Sequence, residues 1–385
     1  MQIKQGYKQT ELGVIPVDWE IDLVKNLSQI KTGSKNTQDR IEFGKYPFYV
    51  RSQTVERINS YSYDGEAVLT AGDGVGVGKV IHYVNEKFDC HQRVYRISEF
   101  TEKIDGYYFF LYFKNNFLNR IMQMTAKSSV DSVRMDMISD MQIPYPKSKK
   151  EQTDIATALS DADAWITSLE QLIAKKRLLK QGAMQELLKP KEGWEVKKLG
   201  DVCDVIIGLT YSPNDVRDHG TLVLRSSNIQ NNKLAFENNV FVEMDLPQRV
   251  IVKKNDILVC VRNGSKQLIG KCALIDKKTE GQAFGAFMAI IRSDFNRYIY
   301  YYFLSNHIQI QIDENMGATI NQLTNATLKS FEIYMPKSKQ EQTRIATILS
   351  DMDAELTALE SQLEKAKKIK LGMMQELLTG RIRLV

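Results

Sequence analysis

The sharpest chemical signal in this chain is a lysine that closes a run of glycines, Ala71-Gly-Asp-Gly-Val-Gly-Val-Gly-Lys79-Val80. Glycine and lysine together suit phosphate chemistry. A nucleotide-binding loop also needs a glycine where Asp73 stands and a hydroxyl where Val80 stands, so no side chain is left to hold magnesium. What remains is a tight loop between strands that lets backbone approach a ligand closely, with Lys79 suited to a DNA phosphate; the alternative is a plain turn. The second half of the chain repeats the theme. Leu258-Val-Cys-Val-Arg262-Asn263-Gly264-Ser265-Lys266 is followed by Gly270-Lys271. Arg262 and Asn263 carry the chemistry of base recognition, arginine for guanine and asparagine for adenine. A surface salt bridge is the competing reading.

A second matched pair is Tyr49-Val-Arg51-Ser-Gln53-Thr54 and Val223-Leu-Arg225-Ser-Ser227-Asn228. Each is an apolar strand that ends in polar residues, which suits groove contacts and also suits ordinary turns. His91, Gln92, Arg93, Lys127, Ser128, Ser129 and Arg134 extend the candidates in the first half. Thr319, Asn321 and Gln322 are their expected counterparts in the second. Catalytic constellations are missing. The four histidines show no His-Glu-x-x-His spacing, and neither a nucleophile elbow nor an Asp/Asn-Pro-Pro-Tyr segment is present. The four cysteines lack Cys-x-x-Cys spacing, so they read as free thiols in a reducing compartment, with no metal site. A net charge of +5 permits nucleic-acid binding without requiring it.

These residues must be held by something, and the chain announces what by saying it twice. Pro146-Lys-Ser-Lys-Lys-Glu-Gln-Thr153 and Pro336-Lys-Ser-Lys-Gln-Glu-Gln-Thr343 open two segments that both run on to Met-Gln-Glu-Leu-Leu, at Met184–Leu188 and Met374–Leu378. The offset is 190 residues throughout, without a gap. Ile155, Leu159, Ala162, Ile166, Leu169 and Ile173 follow a 4-3-4-3 spacing. So do Ile345, Leu349, Met352, Leu356, Leu359, Leu363 and Ala366. This is a coiled-coil seam. Ser148 with Glu151, and Ser338 with Glu341, read as capping boxes. Each helix spans about 40 residues, or about 60 Å, and neither can expose such a seam, so the two are expected to pair antiparallel. Lys175-Lys-Arg177 and Lys365–Lys368 read as a solvated face, or as a surface for a partner or a DNA backbone.

Before each helix lies a globular segment with β-rich stretches and one aromatic helical run. In the first these are Ala67–Thr70, Lys79–Val84, Arg93–Ile97 and helix Gly106–Met124. In the second they are Leu222–Leu224, Asp256–Val261, Phe287–Arg292 and helix Arg297–Ile312. The fold class is therefore mixed α/β with an internal pseudo-two-fold repeat. The expected divisions are globular 1–147, helix 148–189, globular 190–337 and helix 338–385. No apolar run reaches about 18 residues, so no membrane span is expected; the N-terminal segment lacks the apolar core of a signal peptide, which points to the cytoplasm.

The alternation of variable and repeated segments, the Pro-x-x-x-x-Glu-Gln-x-x-Ile openings at Pro146–Ile155 and Pro336–Ile345, and Pro16-Val-Asp-Trp-Glu20 together resemble the specificity subunit of Type I restriction-modification systems. Gly6–Pro16 and Leu69–Lys79 are similar to segments of that family as well. The resemblance covers essentially the whole chain. It implies two target recognition domains, each reading half of a split duplex DNA sequence. It implies paired helices that act as a ruler and dock two methyltransferase subunits, joined by restriction-translocase subunits. The chain itself would hold no cofactor; S-adenosylmethionine, ATP and magnesium would belong to the partners. The competing reading is a non-catalytic scaffold that binds proteins across a coiled-coil spacer.

Overall fold

The computed structural model describes residues 4–124, 132–316 and 321–384. The chain divides into two units: Met1–Glu170 with Ser361–Val385, and Gln171–Glu360. Each unit contains one globular region and a part of both long helices, Lys149–Leu187 and Lys339–Leu377. Among the described residues no helix is long and apolar enough to cross a membrane.

In the first unit six strands form one sheet, in the order Gln29–Thr32, Val94–Ser98, Tyr63–Ala71, Ile81–Cys90, Tyr46–Tyr49, Glu56–Ile58. The central strand owes its place to burial on both faces. Alternate side chains of a strand point to opposite sides. Val68 enters the core that holds helix Gly106–Gln123, while Ala67 and Leu69 enter a second cluster with Tyr49, Phe88 and Cys90. The second unit repeats this with Ile257–Cys260: Ile257 and Val259 face the helices, whereas Leu258 and Cys260 face a separate cluster. Eight of its strands form two four-stranded sheets, ordered Asp204–Ile207, Met288–Arg292, Ile257–Cys260, Cys272–Leu274 and Val216–Arg217, Phe241–Val242, Thr221–Leu224, Ala283–Phe284.

Two sequence expectations shift. The strand expected over Lys79–Val84 begins at Ile81, because Val80 still belongs to the glycine turn and donates its N–H to Gly76 O at 2.8 Å. The helix expected over Arg297–Ile312 is two helices, Asn296–Phe303 and Asn306–Asn315. Ser305 breaks it by taking an extended conformation (φ −77°, ψ 157°) at the cap of the second.

Each long helix is seated in the same way. Tyr108 donates from its hydroxyl to Pro144 O at 2.9 Å, and Tyr298 donates to Tyr334 O at 2.6 Å. Both acceptors lie in the strand that leads into a long helix. The buried Gln152 and Gln342 amides donate back to Pro146 O and Pro336 O, each at 2.7 Å. The repeated Glu-Gln therefore ties each helix to its own globular region. Only the serine half of each capping box forms, with Ser148 and Ser338 hydroxyls accepting from Glu151 and Glu341 N–H groups at 3.4 Å.

Within each unit the helix segments run antiparallel. In the first, Lys370 pairs with Asp163 and Lys367 with Glu170. In the second, Lys180 pairs with Asp353 and Arg177 with Glu360. These are the same two pairs seen through the repeat, with the charges on exchanged helices. The basic clusters thus supply helix-to-helix ion pairs, joined by Lys176 to Glu355. The seam is divided in its duties. Ile155 and Leu159 join the core around Trp19 and Tyr108, and Ile345 and Leu349 join the core around Tyr298, so these four also bury globular surface. Leu169, Ile173, Leu356 and Ala366 are buried further along, while Ile166, Leu359 and Leu363 are half-buried.

Candidate nucleic-acid interface

The glycine loop of the first unit joins two antiparallel strands and is packed onto the protein itself. A side chain at Gly76 would lie 2.6 Å from Arg51 O, and one at Gly78 (φ +68°) would lie 2.5 Å from Ile121. The close approach that these glycines allow is therefore to the protein's own chain. Beside the loop, Arg51 and Arg93 each donate to one oxygen of Asp73, at 2.7 and 2.9 Å. Burial would raise the Asp73 carboxyl, but the Arg51 hydrogen bond and the two guanidinium charges outweigh it and hold the group below its ordinary value. Asp73 and Arg93 line an open recess of about 370 Å3 with Thr32, Gln92, Tyr95 and Ser132. His91 is buried beneath, its Nδ1 accepting from Arg93 N–H at 3.0 Å. Desolvation and the Arg51 charge lower its basicity.

The other candidates of this unit differ in setting. Gln53, Thr54 and Lys79 are exposed. Arg134 is exposed with Nε 3.5 Å from Asp136, and it follows Val133, whose N–H donates to Gly72 O at 2.7 Å. Lys127, Ser128, Ser129 and Thr319 lie outside the described residues.

The second unit builds the same frame. Gly72 N–H donates to Arg93 O and Val261 N–H to Phe287 O. Val133 N–H donates to Gly72 O and Leu323 N–H to Val261 O. Isolated bridges join Asp73 to Ser132 and Arg262 to Gln322. Asp73 therefore corresponds to Arg262, and Arg93 to Phe287. The parallel pairings Tyr49 with Cys90 and Leu224 with Phe284 make Arg51 the counterpart of Ser226. The Arg-Ser match read from sequence is one residue out of step.

Arg262 lies over the Phe287 ring, 5.1 Å from its centre. Asn263 donates to the Ser226 hydroxyl at 3.1 Å, and Asn321 donates to Gly264 O at 3.0 Å. Arg225, Ser226, Ser227, Tyr211 and Phe287 line an open cavity of about 700 Å3. Lys266 is exposed. Two candidates need correction. Asn228 is fully buried and its amide is used within the turn, accepting from Arg225 N–H and donating to Ala235 O and Asn239. Lys271 donates to Ile229 O at 3.0 Å and is half-buried. Both stabilise local structure instead of presenting a free group. Arg225 likewise donates to Asn238 O, with its Nε enclosed.

In the sequence Asp73 reads only as the wrong residue for a nucleotide loop. Its flanking arginines are 22 and 20 residues away, and no local spacing connects them. One signal could have located the frame: Ser132 and Gln322 stand at the same 190-residue offset as the helices, as do Tyr108 and Tyr298.

Comparison with known proteins converges on one family. The profile of the Type I restriction modification DNA specificity domain matches residues 16–179 and again 191–369. The MjaVIII specificity subunit of a Type I restriction enzyme from Methanocaldococcus jannaschii is 24% identical, over 99% of this chain and 96% of its own length. A crystal structure of the Type I restriction-modification S subunit from M. genitalium superposes with a TM-score of 0.65 at 15% identity, covering 98% of each chain. A chain from a structure describing complex assembly and conformational transition of the type I R-M system gives 0.58 at 15% identity, over 96% of this chain and 99% of that one. At these identities the solved structures speak for the fold.

Proposed function

The chain belongs to the Type I restriction modification DNA specificity family, and on that premise we propose that it reads a split duplex target, one half-site per globular region. The observation that carries this reading is one backbone frame built twice with different side chains at its rim, Arg51, Asp73 and Arg93 against Ser226, Arg262 and Phe287. A common frame delivers a side chain to a common place; different side chains there suit different bases. The repeated helices serve as spacer and as docking surface for two methyltransferase subunits and for restriction-translocase subunits. Those partners bring S-adenosylmethionine, ATP, magnesium and the chemistry. The chain itself catalyses nothing, and it works in the cytoplasm.

The test is exchange of residues 194–335 for the corresponding segment of a relative. Target selection from a randomised duplex library should then show one new half-site and one unchanged. If both halves change together, or if no salt-dependent duplex binding is found, the reading falls. Counterion release makes salt dependence the mark of phosphate contact.

A further inference from the structure

We propose that Asp73 is a base-reading residue of the first unit, accepting a hydrogen bond from an exocyclic amino group in the major groove. The inference rests on the DNA-reading function proposed above. Asp73 occupies the frame position that Arg262 holds in the second unit, at the exit of the central strand and bridged to Ser132 as Arg262 is bridged to Gln322. A bare carboxylate would be repelled by DNA phosphates. Here two guanidiniums neutralise it, leaving a local net charge of +1 (one Asp, two Arg). A carboxylate offers about four acceptor positions, and the two arginines take one on each oxygen. The remainder are left for another donor, and Asp73 lines the recess with Gln92, Arg93 and Ser132. Exposure follows the same division of labour: the Asp73 side chain is 18% exposed, whereas Arg51 and Arg93 are 43% and 62% exposed. Carboxylates accept from cytosine N4, and adenine N6 offers the same donor. The opposite sign at position 262 then selects an acceptor edge, that of guanine.

The experiment is library selection with the full chain, as wild type, Asp73→Ala and Asp73→Glu. In the wild type, one base pair of the first half-site should be fixed, as C·G read at cytosine N4 or as A·T read at adenine N6, and the library itself distinguishes the two. In Asp73→Ala that column alone should lose roughly five- to 150-fold in discrimination, with the second half-site unchanged as the control for folding. Asp73→Glu, which keeps the carboxylate, should retain the column's preference at reduced strength. If Asp73→Ala leaves every column intact, or weakens all sequences uniformly, Asp73 only tethers the two arginines and the proposal is overturned. If the wild-type chain selects no split target at all, it is the broader functional reading that fails.

Discussion

At one place in its frame the first unit presents a carboxylate held between two arginines, and at the same place the second presents an arginine lying over a phenylalanine ring. The strands, the bridge and the backbone hydrogen bonds around them are shared. The difference teaches how the two halves divide conservation from variety. Hydrogen bonds among main-chain atoms do not depend on side-chain identity, so the frame survives while its rim diverges. Where divergence would disturb packing, the copies agree, as in Tyr108 and Tyr298 or Gln152 and Gln342.

One asymmetry gives the largest expected effect. Arg383 donates to Glu151 at 2.5 and 2.8 Å and to Asp18 at 2.9 Å, and the Glu151 side chain is 2% exposed. Its repeat counterpart Glu341 has no such partner among the ion pairs of the described residues, because the chain position equivalent to Arg383 is Gly193. Arg383→Ala leaves a buried carboxylate unpaired and should cost roughly 3 kcal/mol in chemical denaturation. Glu341→Ala should stay within about 0.5 kcal/mol. Equal costs would show that the two helix starts are energetically alike.

Next in size, Arg262→Ala should relax one base position of the second half-site by roughly five- to 150-fold in a binding competition, leaving the first half-site intact. Phe287→Ala should do less, roughly two- to thirty-fold, since it removes only the ring that orients the guanidinium. A larger loss from Phe287→Ala would make the aromatic face the reader and the arginine its support.

Arg93→Phe makes the first unit resemble the second. If Arg93 meets a phosphate, the slope of log affinity against log salt should flatten by about 0.9. An unchanged slope would confine Arg93 to holding Asp73. The smallest effect is one of pH. The Asp73 carboxyl is depressed in the fold, so its contribution to stability is complete above its ordinary value of 3.8 and fades as pH falls through the lower folded value. The difference in Tm between wild type and Asp73→Asn should therefore be constant near neutral pH and close below 3.8. Replacing Arg262 should produce no such closing, because arginine does not titrate there.

Much of this architecture was readable from residue order. The 190-residue repeat, the 4-3-4-3 seam and the prolines that open each helix are local patterns, and local patterns suffice to specify helices and their pairing. The strands were found within a few residues, since apolar runs mark burial directly. The candidate site was less legible. Arg51, Arg93, Arg262 and Asn263 could be named by chemistry, yet their partners could not. Asn228 and Lys271 looked like free polar groups until the turn around Ala235 and the carbonyl of Ile229 claimed them.

Residue order alone specifies that the chain is duplicated, that its helices pair, and that its globular regions are α/β with polar residues at strand ends. Which of those residues meet is set by the folded chain. Asp73 and its two arginines are joined across three strand ends, and the register of parallel pairing moved Arg51 opposite Ser226 instead of Arg225. Periodicity along a chain reports which face is buried; it carries no information about which residues from distant segments are brought within hydrogen-bonding distance, because that is settled by sheet order and register.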